Sequence, residues 1–298
     1  MSQQPSITLI AGPTASGKSA LALKLARETG AVILNADSQQ LYADLRVLTA
    51  RPSEADEALA DHRLYGVADA ADAWSVGRWS RAALAEIKRL GEGAPVILVG
   101  GTGLYFLSLT RGLADIPDVP LEVREEVEAD YATLGEAAFR ARLAQADAAS
   151  AAAIERGDRQ RLIRAMSVLV ASGRPLSAWR AQTQPLLIPG TWKGLVIQPE
   201  RSVLYDTCDQ RVDRMMEEGA LSEVEGLLAR GLAPSLPAMK AVGMRELADF
   251  LRGHISREAA TAALKQATRN YAKRQLTWFR NQTRDWAITT IHNDPSTL

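Results

Sequence analysis

A chain of 298 residues with 47% hydrophobic content is long enough to bury a sizeable core in one or two domains. Its 35 Lys+Arg balance its 35 Asp+Glu, so global charge argues for no particular partner, and any polyanion site has to come from local clustering. The single cysteine, Cys208, excludes an intramolecular disulfide and a cysteine-cluster zinc site. No apolar run approaches the roughly 18 residues of a membrane span. The N-terminus lacks a basic region followed by an apolar stretch, so a soluble cytoplasmic protein is expected.

Residues 6–11, with Ile7, Leu9 and Ile10 apolar, suit a short buried strand. Gly12-Pro13-Thr14-Ala15-Ser16-Gly17-Lys18-Ser19 follows and reads G-x-x-x-x-G-K-S, the phosphate-cradling loop. Residues 20–27 are strong helix formers, with Leu21 and Leu25 one turn apart, so the strand–loop–helix context is complete. Glycines let backbone N–H groups converge on an anion, and the helix N-terminus adds its partial positive charge. Lys18 reaches the outer phosphates and the Ser19 hydroxyl can ligate Mg²⁺. The loop leaves open which phosphate compound binds and what is done to it.

A second strand over 31–34 ends in Asn35-Ala36-Asp37-Ser38, which the ligand rule for open parallel sheets places beside the phosphate loop. Asp37 is read as a metal-side acid, a general base or a turn residue. Residues 45–70 are mixed, with a loop at Thr49-Ala50-Arg51-Pro52 and acids at Glu54, Asp56 and Glu57. Ser75 caps a predicted helix running to about Leu90. Residues 95–99 form the clearest buried strand and empty into Gly100-Gly101-Thr102-Gly103-Leu104-Tyr105, a third loop at the same sheet edge.

Ile116-Pro117-Asp118-Val119-Pro120 marks a boundary, after which residues 121–172 read as helical. Within them, Asp158-Arg159-Gln160-Arg161-Leu162-Ile163-Arg164 suits phosphate and base edges, or else a solvated helix with Leu162 and Ile163 inside. Leu195-Val196-Ile197 restores strand character, so the helical part is an insertion. Residues 201–218, 221–230 and 239–251 are helical. A last helix runs from Ser256 to about Gln282. Its Lys265, Arg269 and Lys273 recur every four residues, and 256–284 holds seven Lys/Arg against one acid, Glu258. That asymmetry points to a polyanion. Residues 286–291 suit a final edge strand. The expected fold is α/β: a P-loop NTPase-like parallel sheet flanked by helices (1–119 and 190–298) with an inserted all-helical domain (120–189).

These motifs together resemble one family, the bacterial tRNA dimethylallyltransferases or tRNA isopentenyltransferases. The likeness runs through Gly12 to Ser19, Asp37-Ser38-Gln39-Gln40-Leu41-Tyr42, the turn at 100–105, 158–164, Ala241-Val242-Gly243-Met244-Arg245-Glu246, and 268–280, which includes Tyr271-Ala272-Lys273-Arg274-Gln275. Asp-Ser-Gln-x-Leu-Tyr and the Tyr271 motif are far more specific than the phosphate loop. The resemblance implies Mg²⁺-dependent transfer of a dimethylallyl group from its diphosphate to N6 of the adenosine just 3′ of the anticodon. It implies that the loop from Gly12 to Ser19, with Arg211, holds the diphosphate, that Thr14, Lys18, Asp37 and Arg211 act in catalysis, and that Asp37 is the general base. Asp37 to Gln40, Gln160 to Arg164, Thr102 and Arg124 are then tRNA contacts, joined by Lys265, Arg269 and Lys273. The partners expected are a tRNA anticodon stem-loop and dimethylallyl diphosphate, with no membrane and a monomeric enzyme. Leu48, Arg51 and Met244 depart from the usual Gly, Lys and Tyr. Two other readings use the same motifs: a P-loop kinase, with Arg161 and Arg164 on a lid, and a non-catalytic NTP-dependent RNA-binding switch.

Overall fold

The computed structural model describes residues 6–114 and 116–290. The chain divides into two compact units, one built from the residues up to Thr110 and from Leu187 onward, the other from Arg111–Leu186. In chain order the first unit begins with β1 (Ile7–Ala11), α1 (Lys18–Thr29), β2 (Val32–Asn35), α2 (Glu54–Leu59), β3 (His62–Arg63), α3 (Val76–Leu90), β4 (Val96–Gly100) and α4 (Gly103–Thr110). The second unit holds α5 (Leu121–Ala146), α6 (Ala148–Ala153), α7 (Arg159–Ser172) and α8 (Leu176–Arg180). The first unit then resumes with β5 (Trp192–Ile197), α9 (Arg201–Glu218), α10 (Ala220–Ala229), a 3-10 turn (Ala238–Lys240), α11 (Met244–Leu251), α12 (Arg257–Gln282) and β6 (Ala287–Thr289).

The six strands form one parallel sheet in the order β3-β2-β4-β1-β5-β6. Side chains of a strand alternate between faces, and both faces here are covered. Leu9, Leu34, Leu98 and Val196 enter the larger core, with Trp79 and Phe106 from α3 and α4. Ile10, Ile33, Ile97 and Val99 enter the other, with Ala22 and Ala26 of α1. That double burial is why these strands read as continuous apolar runs. Ala11 pairs with Gly100, and Asn35 with Val99. The loops after β1, β2 and β4 therefore leave the sheet at one level, side by side, where ligands of such sheets sit.

The mixed stretch 45–70 contains two elements too short for periodicity to show: the edge strand β3, and α2, held by a reciprocal capping box between Ser53 and Asp56. The helical run expected over 121–172 is broken at Gly135 (φ 72°) and again between α5, α6 and α7. The segment 239–251 opens as a 3-10 turn and is interrupted at Gly243 (φ 100°) before α11. The final edge strand is shorter than 286–291, and Ile291 lies outside the described residues. The second unit closes on its own core, with Val127, Phe139, Leu143, Leu162 and Met166 inside. Among the described residues no helix is long and apolar enough to cross a membrane.

Candidate active site

The phosphate loop leaves β1 and bends through two left-handed residues, Ala15 (φ 61°) and Gly17 (φ 82°). For Ala15 that conformation costs roughly 1–2 kcal/mol, strain of the kind that concentrates at functional sites. Its result is a concave run of donors: among the described residues, the backbone N–H groups of 15–20 find no acceptor. Ser16 Oγ is buried and equally without a partner. A buried donor left unpaired is costly, so the loop is built to receive acceptors from outside the chain. Lys18 opens α1 as a buried residue and donates from Nζ to Pro13 O at 3.2 Å. Burial lowers its pKa to about 8; the Asp37 carboxylate acts against that shift and the Arg211 guanidinium adds to it. Thr14 is held from two sides. Its N–H donates to Gln275 Oε1 at 2.8 Å, and its hydroxyl accepts from Arg211 Nη1 at 2.8 Å.

The loop flanks a cavity of about 390 Å³. Lys18, Arg46, Arg51, Arg211 and Arg214 line it, against one acid, Glu218. Arg46 is paired with Glu57 at 3.0 Å, and Arg51 donates to the Tyr42 and Ala43 carbonyls at 3.4 and 3.3 Å. Among the described residues no carboxylate pairs with Lys18, Arg51, Arg211 or Arg214. A neighbouring cavity of about 30 Å³ shares Arg211 and Met215 with the first. Its lining mixes polar groups of Thr14, Asp37, Gln39, Thr49 and Thr268 with apolar Leu48, Met215, Val242 and Leu264, beside Tyr271. Desolvation pushes the Tyr271 phenol well above its usual pKa, so it stays neutral.

Asp37 is buried at the end of β2, fixed by its neighbours rather than by a cation. The buried Asn35 side chain brackets it, accepting from Asp37 N–H at 2.7 Å and donating to Asp37 O at 2.9 Å. One carboxylate oxygen accepts from Gln39 N–H at 3.0 Å. Among the described residues no group donates to the other oxygen. The turn after β4 comes close behind. A Cβ on Gly100 would lie 2.0 Å from Ala36 O, and one on Gly101 would lie 2.2 Å from Gln275 Nε2 and 3.1 Å from Asp37 Oδ2. Those glycines are there for contact between loops. Thr102 joins the same cluster: its hydroxyl accepts from Ser38 N–H at 2.9 Å.

The structure sorts the expected tRNA contacts by exposure. Ser38, Gln39 and Thr102 surround Asp37. Gln40 is buried, with Nε2 bonded to the Thr49 and Ala50 carbonyls at 3.0 and 2.7 Å. In the second unit, Gln160, Arg161 and Arg164 are exposed on the first turns of α7. Leu162 and Ile163 do not face outward; they are core residues at 0% and 7% exposure, so their side chains support α7 instead of meeting RNA. Arg124 is exposed on α5, in an ion pair with Glu128 at 3.0 Å. On α12, Lys265 is paired with Asp213 at 2.7 Å and Arg269 with Asp209 at 2.6 Å, both on α9. Lys273 is exposed. The departures are accommodated structurally: Met244 and Leu48 are buried in the large core, and Arg51 donates to the Tyr42 and Ala43 carbonyls.

The motif reading missed Asn35, Arg214 and Gln275 as parts of the site. Gln275 carried a signal: a carboxamide between the buried Ala272 and Leu276 on the apolar face of a helix needs polar partners.

Residues 40–282 match the family model described as IPP transferase. A tRNA dimethylallyltransferase of a Caulobacter species is 58% identical over 281 residues, 94% of this chain and 91% of that protein. One from Phenylobacterium zucineum is 56% identical over 286 residues, 95% of this chain and 92% of that protein. Among solved structures, the full-length tRNA isopentenylpyrophosphate transferase from Bacillus halodurans matches with a TM-score of 0.68 and 31% identity, over 98% of this chain and 93% of the other. A eukaryotic dimethylallyltransferase acting on tRNA matches with a TM-score of 0.82 at 22% identity, over 98% of this chain and 75% of the other, a likeness of fold.

Proposed function

The chain belongs to the IPP transferase family, and on that premise we propose that it transfers a dimethylallyl group from dimethylallyl diphosphate to N6 of the adenosine just 3′ of the anticodon in tRNA, releasing diphosphate. The observation that carries this assignment of roles is the pair of adjoining cavities: one cationic and walled by the phosphate loop, the other smaller, with Asp37 and Thr14 in the same lining as the apolar Leu48, Met215, Val242 and Leu264, and Arg211 belonging to both.

As the bond between the allylic carbon and the diphosphate oxygen breaks, negative charge grows on the leaving group. The free N–H groups of 15–20, Ser16 Oγ, Lys18 and Arg211 meet that charge in a fixed arrangement, and fixed donors stabilise developing charge without reorganising. Arg214, one turn along α9, adds a cation at the rim. The Thr14 hydroxyl, held by Arg211, lines the second cavity. Among the described residues no cluster of three or more acids, histidines or cysteines exists to cage a metal. That fits Mg²⁺, which binds through few protein ligands plus phosphate oxygens and water. The exposed Ser19 hydroxyl, in the lining of the cavity, would hold the ion, which would neutralise diphosphate charge. The second cavity receives the five-carbon group against Leu48, Met215, Val242 and Leu264, away from water.

Asp37 is the general base. The N6 amine is a weak nucleophile because its lone pair is delocalised into the ring, and its proton becomes acidic as the new C–N bond forms. The unengaged carboxylate oxygen of Asp37 takes that proton. The adenine has to leave its stack to reach this point, and anticodon-loop bases are already partly unpaired. Ser38, Gln39 and Thr102 offer polar contacts around it. For the RNA backbone, Lys273 and Arg274 of α12 and Lys240 and Arg245 lie exposed on the first unit, and Arg124, Gln160, Arg161 and Arg164 on the second. The enzyme is taken to act on tRNA as a monomer in the cytoplasm. Incubation with tRNA and dimethylallyl diphosphate, followed by mass spectrometry of the nucleosides, is expected to show adenosine gaining one C₅H₈ unit. Unmodified tRNA together with ATP turnover on a small acceptor would move the site to a kinase.

A further inference from the structure

Gln275 lies on the buried face of α12, 6% exposed, beside the Tyr271 phenol one turn back, and two of its side-chain hydrogen bonds leave the helix for loops of the site. Oε1 accepts from Thr14 N–H at 2.8 Å, and Nε2 donates to Gly101 O at 2.9 Å. The partners fix the amide's orientation, since a flipped amide would set N–H against N–H and oxygen against oxygen. On one side, Thr14 passes the constraint to Arg211 through its hydroxyl. On the other, Gly101 is the residue that the Gln275 amide and the free Asp37 oxygen both approach, within 2.2 and 3.1 Å of where its Cβ would stand. A primary amide is neither acid nor base at neutral pH, so this residue has no proton to move. What it joins are the loop that holds the leaving group and the turn behind the base.

We propose that Gln275 is a positioning residue for transfer: it sets the separation between the phosphate loop and the 100–103 turn, so that the allylic carbon faces the amine next to Asp37 rather than water. The inference rests on the transfer reading above. Misalignment of about 1 Å costs on the order of 10²-fold in such reactions. It also opens a competing course in which water oxygen bonds to the allylic carbon, the carbon–diphosphate bond breaks, and the water proton passes to solvent, giving dimethylallyl alcohol and diphosphate.

The test compares full-length wild type, Gln275→Met and Phe279→Leu, with saturating tRNA, Mg²⁺ and dimethylallyl diphosphate, counting prenylated tRNA and dimethylallyl alcohol separately. Gln275→Met keeps length and bulk and removes both bonds. It is expected to lower kcat for transfer by roughly 10–100-fold, to raise the share of turnovers ending in alcohol several-fold, and to leave KM for tRNA within about twofold. Phe279→Leu, a core change one turn along α12 that touches neither of the two hydrogen bonds, is expected to lower Tm and keep the wild-type partition. A Gln275→Met enzyme with wild-type partition overturns the inference, whether or not its kcat falls. Should that variant not accumulate folded, Gln275→Glu, which keeps the acceptor for Thr14 N–H, carries the same expected rise in alcohol, and a wild-type partition there overturns it equally. Failure of the wild type to prenylate tRNA counts instead against the transfer reading.

Discussion

The phosphate loop and α12 border the same site, and their sequences speak about it in different ways. The loop's chemistry is its own backbone: N–H groups of consecutive residues, aimed by Ala15 and Gly17, with Lys18 and Ser19 at fixed offsets. Nothing distant is needed to read it. The chemistry of α12 depends on what packs against it. Two of its three basic-stripe residues face Asp209 and Asp213 of α9, so their charge is met inside the protein. Its hydrogen-bonded link to the loops of the site is an uncharged side chain, Gln275, while Leu264, Thr268 and Tyr271 line the second cavity. A charge count along one helix omits the acids of the helix beside it; a loop motif omits nothing of that kind.

Substitutions can break that comparison. Within the loop, Lys18→Ala removes the main side-chain cation from the leaving diphosphate and is expected to lower transfer by about 10³-fold, the scale of a lost charge-stabilising donor, and near-normal turnover would take the loop out of the mechanism. Next comes the second unit. Leu162→Ala leaves a cavity in a fully buried site and is expected to cost about 2–5 kcal/mol of stability, read by denaturant unfolding, whereas Arg164→Ala leaves stability unchanged and weakens tRNA binding.

The loop also has a pH signature. Lys18 has its pKa lowered to about 8 by burial and is charged below that value. Thus kcat/KM for dimethylallyl diphosphate, which reports the free enzyme, stays level up to about pH 8 and falls above it. The profile of kcat extends further, because bound diphosphate favours the charged amine; a kcat/KM curve flat past pH 9 would contradict the assignment. The smallest effects separate the cations of α12. Lys273→Ala is expected to lower tRNA affinity several-fold and reduce the salt slope by about 1. Arg269→Ala should leave that slope alone and cost at most about 1 kcal/mol of stability, the range of half-exposed pairs. Equal salt slopes for both would restore the whole stripe as an RNA face.

What was legible in the sequence follows the same division. β1, β2, β4 and β5 show as apolar runs because both sheet faces are covered, and α3, α9 and α12 show by period and caps. β3 was hidden because two residues have no period. α2 was hidden by its acids, although Ser53 and Asp56 spell a capping box. Asp37 could be located from the strand rule, but not its bracket of Asn35 and Gln39, which depends on the turn's conformation. Leu162 and Ile163 sit inside an arginine-rich string, and only the α5–α7 packing shows that they face inward.

The central claim is that Asp37 takes the proton from the adenosine amine. Asp37→Asn keeps the shape and the bond from Gln39 N–H and removes the basicity. Single-turnover kinetics with dimethylallyl diphosphate, alongside equilibrium binding of tRNA, separates the two roles open to this residue. The expected result is a rate lower by roughly 10²–10⁴-fold with tRNA affinity nearly unchanged. A variant that keeps its rate and loses tRNA would make Asp37 a recognition residue and contradict the account.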